Sequence, residues 1–206
     1  MISWIFFDLD GVLLDSRQWH FDALHIALTE SGIHLNHAQH TQHYDGLPTK
    51  LKLELLAERF QLDTAAIVKI HNRKQILTRR FLAERITRSE SLVVMLGNLR
   101  AQGLRIALCS NAIRETVDTC LAKLMVTEFF DFTLSSEDVR NPKPSSEMYE
   151  QAIRLAGVTP HEILIVEDSP HGVKAAKGTS CHLLIVRDAQ DLSLEKILSS
   201  IANAHG

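Results

Sequence analysis

The sequence has few cysteines, no large excess of either charge and no long apolar run. Its three cysteines are widely spaced and form no C-x-x-C pair, so neither a disulfide framework nor a zinc site is predicted. The formal net charge is -3 and no long basic run occurs, which argues against binding nucleic acid. The apolar run at residues 2–7 meets acidic side chains at once and is too short for a signal peptide or a membrane span. We therefore expect a cytoplasmic protein without nucleic-acid or membrane partners.

The composition is that of a globular protein with a substantial core. Of the 206 residues, 45% are hydrophobic and 23% are charged, which disfavours disorder of the whole chain. A chain of this length forms one domain, or one core domain that carries a smaller inserted one.

Short β-rich apolar runs alternate with helical patterns along most of the chain. The runs at residues 2–9, 104–109, 132–135, 163–166 and 182–186 predict buried strands. The helical patterns between them are Leu92, Leu96 and Leu99; Val117, Leu121 and Leu124; and Met148, Ala152 and Leu155. This alternation predicts an α/β fold with a parallel sheet covered on both faces.

Residues 15–88 interrupt the alternation with several helical patterns and no clear strand. The patterns are Phe21, Leu24 and Leu28; Leu51, Leu55 and Leu56; and Ile70, Leu77 and Phe81. We interpret the segment as a helical insertion after the first strand. Ligands of open parallel sheets bind beyond the carboxyl ends of the strands, so an insertion there would cover the site as a lid.

Two acidic pairs follow predicted strands. Asp8 and Asp10 come directly after the first run, and Gly11 permits a turn that could bring both carboxylates toward one cleft. Glu167 and Asp168 follow the fourth run. Each acid alone also fits helix capping or a solvated loop. Together they supply the oxygen ligands of a hard divalent ion, and Mg²⁺ commonly uses one or two carboxylates with substrate phosphate and water.

Two further segments offer groups complementary to an anion. Ser110 and Asn111 follow the second run and precede a helical pattern, where hydroxyl, amide and backbone N–H groups could hold phosphoryl oxygens. A helix cap is the alternative interpretation of this pair. Lys143 lies between Pro142 and Pro144, which stiffen the chain around one cation.

These segments together resemble the haloacid dehalogenase superfamily of phosphohydrolases. The matching segments are D-L-D-G-V from Asp8, Ser110 with Asn111, Lys143 with Pro144, and Glu167-Asp168-Ser169, and they occur in the family's order over nearly the whole chain. The opening at residues 8–16 and the insertion are similar to the subgroup with a small helical cap, which includes β-phosphoglucomutase. The resemblance implies a three-layer Rossmann-like core, residues 1–14 and 89–206, with an inserted all-helical cap, residues 15–88.

The resemblance also implies a role for each acid. Asp8 would be the nucleophile that forms an aspartyl-phosphate, and it would bind Mg²⁺. Asp10 would give its backbone carbonyl to the metal, and its side chain would act as general acid and then as general base. Asp168 would ligate the metal, and Glu167 would support the metal directly or through water.

The remaining roles concern the phosphoryl group. Ser110 would hold a phosphoryl oxygen, and Asn111 would contact the substrate beside it. Lys143 would neutralise charge on the nucleophile and the phosphate. A carboxylate that attacks an anionic phosphate is repelled unless cations lie between the two, so Mg²⁺ and Lys143 are the required cations.

Three residues of the inserted segment are further substrate-binding candidates. His20 and Lys74 occupy positions similar to those at which cap groups of β-phosphoglucomutase respond to substrate. The place of that enzyme's phosphate-binding arginine reads Gly46, Leu47, Pro48, Thr49, Lys50 here. Lys50 could substitute as a point charge but not as a planar fork. The missing arginine favours hydrolysis over mutase activity.

Four histidines recur at every third position: His34, His37, His40 and His43. Spacing by three does not keep one α-helical face over several turns, and the segment is polar throughout. We therefore interpret it as a solvated loop or cap edge rather than a metal site.

The combined prediction is a Mg²⁺-dependent phosphatase that acts on a small phosphorylated metabolite, such as a sugar or nucleotide phosphate. A phosphohexomutase and a non-catalytic binding protein of the same fold are the alternatives. A dehalogenase is disfavoured because halide leaves unprotonated, which gives Asp10 no role. We expect a monomer, with a dimer as the alternative.

Overall fold

The computed structural model describes residues 1–44 and 47–204, which form two compact units. The helical unit is Ser16–Ile86, and the sheet unit comprises the chain before and after it. The helical unit begins one residue later and ends two residues earlier than the cap expected from the sequence. Its function as a cap stays a prediction.

The sheet unit contains a five-stranded parallel sheet with the order β3-β2-β1-β4-β5. The strands are β1 (Trp4–Phe7), β2 (Arg105–Cys109), β3 (Phe132–Leu134), β4 (Ile163–Glu167) and β5 (His182–Ile185). Four lie within a predicted run and β4 extends one residue beyond its run, so the prediction of a parallel α/β fold is confirmed. The central strand β1 has the sequence Trp-Ile-Phe-Phe and is buried throughout, as expected of a strand covered on both faces.

Helices account for the rest of the regular structure in the described residues. They are α1 (Arg17–Thr29), α2 (His37–His43), α3 (Thr49–Phe60), α4 (Thr64–Arg85), α5 (Glu90–Ala101), α6 (Arg114–Leu124), α7 (Glu147–Ala156), α8 (Pro170–Lys177) and α9 (Leu194–Asn203), with short 3-10 helices at Thr127–Phe129 and Pro160–Glu162. None of the helices in the described part of the chain has the length and apolarity needed to cross a bilayer.

Each unit has its own apolar core. In the sheet unit, Trp4 and Phe6 of β1 pack in one cluster with Tyr149 of α7. In the helical unit, Leu24 and Leu28 of α1 share a cluster with residues of α3 and α4. Two leucines of the predicted helical patterns are exposed, Leu55 to 38% and Leu155 to 56%, because the buried stripe of each helix is narrower than its apolar pattern.

The histidine-rich segment differs from the expected loop. Asn36 caps helix α2 by accepting a hydrogen bond from the Gln39 N–H at 2.9 Å, while the Gln39 side chain accepts from the Asn36 N–H at 3.3 Å. His40 is buried, with its ring 5.1 Å from that of Phe21, so the interpretation as a solvated loop was wrong, and the alternative of a cap edge stays a prediction. The capping box begins helix α2, and the helical turn directs the His40 side chain inward. His34, His37 and His43 are exposed.

Candidate active site

The candidate site lies where the strand order of the sheet reverses. Strand β1 has β2 on one side and β4 on the other, and the carboxyl ends of these parallel strands meet at one edge. Asp8 follows β1, and its N–H donates to the Val166 carbonyl of β4 at 3.0 Å. Ser110 follows β2, and its N–H donates to the Leu134 carbonyl of β3 at 2.9 Å. The sheet ladder thus fixes the backbone that carries both side chains.

The Lys143 ammonium is the buried centre of the site. Its Nζ atom donates to Asp8 Oδ1 at 2.7 Å, to Glu167 Oε1 at 2.6 Å and to the Cys109 carbonyl at 2.6 Å. A lysine ammonium has three N–H bonds, and these contacts use all of them. The side chains of Lys143, Asp8 and Glu167 are 2%, 10% and 0% exposed. Lys143 is therefore a fixed, desolvated positive charge beside Asp8.

Lys143 lies in the loop between β3 and α7, and side chains outside the loop hold its backbone in place. The Asn111 side chain donates to the Lys143 carbonyl at 2.9 Å and accepts from the Lys143 N–H at 3.0 Å. Glu147 of α7 accepts hydrogen bonds from the N–H groups of Arg140 and Asn141 at 2.8 and 3.0 Å. The structure thus assigns Asn111 a contact with Lys143, and its contact with substrate stays a prediction.

Three carboxylates converge beside this lysine. Asp8, Glu167 and Asp168 each offer an oxygen atom within 4.8 Å of the others. Both carboxylate oxygens of Asp168 are buried from solvent. Three acids around one lysine leave an excess of negative charge, which a divalent cation would offset. Carboxylate oxygens are hard ligands of the kind that Mg²⁺ prefers, so the residues present fit the expected metal.

Glycines give two of these carboxylates the space they occupy. Gly11 has a φ of +90°, and a Cβ atom there would collide with the Asp168 carboxylate. A Cβ atom on Gly172 of α8 would collide with the Glu167 carboxylate. Glycine at these two positions therefore lets the backbone lie closer to the two carboxylates than a residue with a Cβ atom could.

Burial and neighbouring charges control the ionisation of the site. Burial raises the pKa of Asp8 well above its ordinary value, and the nearby acids add to the effect, although Lys143 opposes it. Burial alone would lower the pKa of Lys143, but the carboxylates of Asp8 and Glu167 outweigh burial and raise it. Lys143 therefore keeps its charge at any physiological pH. A cation bound to the carboxylates would favour the ionised form of Asp8.

Ser110 and Asp10 lie beside this centre. Ser110 is buried, and its Oγ atom accepts a hydrogen bond from the Ala112 N–H at 3.0 Å, which uses a lone pair of the hydroxyl and not its proton. Asp10 is partly exposed in the turn after β1, where its backbone forms a bridge with Leu14. Asp10 is close enough to Asp8 that its charge contributes to the raised pKa of Asp8.

The three expected substrate-binding residues of the inserted segment belong to the helical unit. His20 lies on α1 and is partly buried, Lys74 lies on α4 and is buried, and Lys50 is exposed in the first turn of α3. Gly46, at the start of the segment that contains Lys50, lies outside the described residues. The substrate-binding roles of this group stay predictions.

Sequence reasoning missed one polar residue of the site. The Tyr149 hydroxyl donates to Glu167 Oε1 at 2.7 Å, and the Tyr149 side chain is fully buried. In the sequence this tyrosine is an aromatic residue next to Met148 in a helical pattern, so nothing separates it from an ordinary core residue. The one available signal for a role in the site is that Tyr149 follows Lys143 by six positions in the sequence.

The comparisons with known proteins agree with this geometry. The family model described as haloacid dehalogenase-like hydrolase matches residues 5–186 of the chain. The match includes every residue described above at the carboxyl end of the sheet. The fold is that of a parallel α/β enzyme, and the chain belongs to the haloacid dehalogenase-like hydrolase family.

The individual relatives found by comparison include named phosphatases and a mutase of the same fold. A phosphorylated carbohydrates phosphatase of Thermotoga maritima is 26% identical over 177 residues, which cover 84% of this chain and 80% of that protein. A pyrophosphatase, PpaX, of Bacillus cereus is 25% identical over 175 residues, which cover 84% of this chain and 77% of that protein. The solved structure of β-phosphoglucomutase from Clostridium difficile has a TM-score of 0.85 at 20% identity and covers 98% of each chain, which establishes the fold. The chain is a phosphohydrolase of this family.

Proposed function

We propose that the chain is a Mg²⁺-dependent phosphatase that hydrolyses a small phosphomonoester through an aspartyl-phosphate on Asp8. The observation that carries the proposal is the contact between the Lys143 ammonium and Asp8 Oδ1 at 2.7 Å, beside carboxylates that could hold a divalent ion. A nucleophilic carboxylate needs such positive charge in order to approach a phosphate dianion.

Asp8, Glu167 and Asp168 would hold the Mg²⁺ ion, together with the Asp10 carbonyl. When bound, the ion would neutralise charge on the phosphoryl oxygens and orient them for in-line attack. Lys143 would neutralise the nucleophile itself. Its N–H groups already serve protein acceptors, so Lys143 would act as a fixed charge and not as a proton donor.

The two chemical steps need a separate proton carrier, and we assign that role to Asp10. In the first step an Asp8 oxygen bonds to phosphorus, the ester P–O bond breaks, and the leaving alkoxide takes a proton from Asp10. In the second step water attacks phosphorus, its proton passes to Asp10, and the bond between Asp8 and phosphorus breaks to release phosphate. The Ser110 hydroxyl would donate a hydrogen bond to a phosphoryl oxygen in both steps.

We propose a sugar or nucleotide phosphate as the substrate. The Thermotoga maritima relative is named for phosphorylated carbohydrates, which supports the sugar class. Discrimination among substrates would come from the helical unit, with His20, Lys50 and Lys74 as candidate contacts. We also propose a monomer in the cytoplasm, where its three free cysteines would remain reduced.

The first experiment replaces Asp8 by Asn and measures phosphate release from an aryl phosphate with Mg²⁺. Loss of the nucleophile should lower kcat by about 10³-fold or more, because covalent transfer has no substitute acceptor at this position. The matched control is Asp118→Asn on α6, whose side chain is 63% exposed, and this variant should keep the wild-type rate. Chelation of Mg²⁺ should abolish the activity, and added Mg²⁺ should restore it.

Undiminished release by Asp8→Asn would refute the proposed nucleophile. An assay of the wild-type protein with glucose 1-phosphate and a bisphosphate primer distinguishes a phosphatase from a phosphohexomutase. A phosphatase releases inorganic phosphate and glucose. Accumulation of glucose 6-phosphate with little inorganic phosphate would instead establish the mutase.

A further inference from the structure

Tyr149 contacts the charged centre of the site from the interior of the sheet unit. Its hydroxyl donates to Glu167 Oε1 at 2.7 Å, and Lys143 Nζ donates to the same oxygen at 2.6 Å. The Lys143 ammonium also lies 4.8 Å from the centroid of the Tyr149 ring, within the range of a cation–π contact. One tyrosine thus contacts both members of the Lys143–Glu167 ion pair.

The other Glu167 oxygen has its own donors. Oε2 accepts from the Asp168 N–H at 3.1 Å, and from the N–H and hydroxyl of Ser169 at 3.4 Å each. Donors on both oxygens therefore restrain the rotation of the carboxylate about its Cγ–Cδ bond, and Tyr149 and Lys143 are the donors on the Oε1 side. Gly172 packs against the same carboxylate, which occupies the space that a side chain at this position would take.

From this geometry we propose that Tyr149 is a positioning residue for phosphoryl transfer. Its hydroxyl orients Glu167, and Glu167 in turn holds Lys143 against Asp8. The inference rests on the proposed function, because the position of Lys143 affects the rate only if Asp8 attacks a phosphoryl group. The Tyr149 hydroxyl donates to Glu167 and would act on the nucleophile through Lys143, so we class Tyr149 as a positioning residue and not as a catalytic residue.

The hydroxyl carries the effect, and the ring contributes packing. Tyr149 lies in the core cluster with Trp4, Phe6 and Met148, and phenylalanine would preserve these contacts. Without the hydroxyl, Glu167 Oε1 keeps Lys143 as a donor but loses its second restraint. The Lys143 ammonium can then sample positions farther from Asp8, which weakens charge neutralisation during attack.

The test is Tyr149→Phe, assayed for phosphate release from an aryl phosphate with saturating Mg²⁺. We expect kcat to fall about 10–100-fold, as is typical when an outer partner of a charged site is removed, while KM stays within about twofold. The control is Tyr44→Phe, which removes the hydroxyl of a buried tyrosine in the core of the helical unit and should leave kcat unchanged. An unchanged kcat in Tyr149→Phe would overturn the proposal.

A double-mutant cycle with Glu167→Gln tests the route of the effect. If Tyr149 acts through Glu167, the double variant should lose no more activity than Glu167→Gln alone. Losses that multiply would show that Tyr149 acts independently of Glu167, against the proposal.

A spectroscopic readout separates this inference from the proposed function. The NMR signal of the buried Lys143 ammonium, identified by its absence in Lys143→Met, should shift or broaden in Tyr149→Phe and not in Tyr44→Phe. An unshifted signal would overturn the positioning role whether or not the protein hydrolyses phosphate. If Asp8→Asn keeps full activity while the Lys143 signal still responds to Tyr149→Phe, the proposed nucleophile fails and the positioning of Lys143 by Tyr149 stands.

Discussion

The Lys143 ion pairs of the sheet unit are buried, whereas the Arg73–Glu30 ion pair of the helical unit is exposed to solvent. In the sheet unit, Lys143 pairs with Asp8 and Glu167, and none of these side chains is more than 10% exposed. In the helical unit, Arg73 and Glu30 form a bidentate pair between α4 and α1 with side chains that are 40% and 44% exposed. Both pairs have good geometry, so solvent exposure is the variable that separates them.

The difference shows which pair carries a large desolvation cost and so needs a role besides stability. An exposed pair stays solvated and contributes little to the free energy of folding. A buried pair loses the hydration of both charges, and an apolar group of the same shape is often as stable. A protein that buries a lysine among acids therefore has another use for the charge, and we propose phosphoryl transfer as that use at this site.

Replacement of Lys143 by Met should have the largest effect and test the comparison most directly. The change leaves two buried carboxylates without their cation, so we expect a loss of about 3–5 kcal/mol in the free energy of unfolding, measured in urea. The rate of phosphate release should also fall by about 10²–10³-fold. An unfolding midpoint equal to that of Lys177→Met, an exposed lysine on α8, would contradict the assigned role of burial.

Asp131 should give an intermediate effect that depends on pH. Its side chain is 12% exposed and pairs with Arg105 and Arg100. Burial would raise its pKa, but hydrogen bonds from the Ile106 N–H and the Arg105 guanidinium, with the charges of both arginines, outweigh burial and lower it.

A lowered pKa in the folded state means that Asp131 stabilises the protein above its unfolded pKa of about 4 and loses this contribution as the pH falls further. Asp131→Asn should therefore be less stable than the wild type by about 1–2 kcal/mol at pH 7, and the difference should shrink below about pH 4. Urea unfolding at a series of pH values measures it. A difference that is constant with pH would refute the electrostatic origin.

The smallest effect is expected at Arg73. Replacement by Ala removes the exposed pair with Glu30, and the thermal midpoint should fall by no more than about 3 °C. Arg80→Ala, which breaks the exposed pair with Glu84 within α4, is the matched control for loss of an arginine side chain. A shift comparable with that of Lys143→Met would show that exposure does not govern these contributions.

The sequence was most informative where local pattern and function coincide. The five apolar runs predicted the strands, and polar residues directly after three of them predicted a common site, because parallel strands place their carboxyl ends at one edge. The bond between Asn111 and the Lys143 backbone joins residues 32 positions apart, and no local pattern encodes such a partner. His40 and Tyr149 were missed for a related reason, since the inward turn of a side chain depends on packing that the sequence alone does not display.

The sequence by itself determined the alternation of strand and helix, the acids and lysine of the site, and the family to which they belong. These follow from the periodicity of apolar residues and from chemically distinctive side chains at strand ends. Only the tertiary structure decided that all three N–H groups of the Lys143 ammonium donate to protein acceptors. It also decided that Tyr149 donates to the same Glu167 oxygen as Lys143. Those features arise from segments far apart in the chain, because a desolvated charge must find its partners wherever the fold brings them.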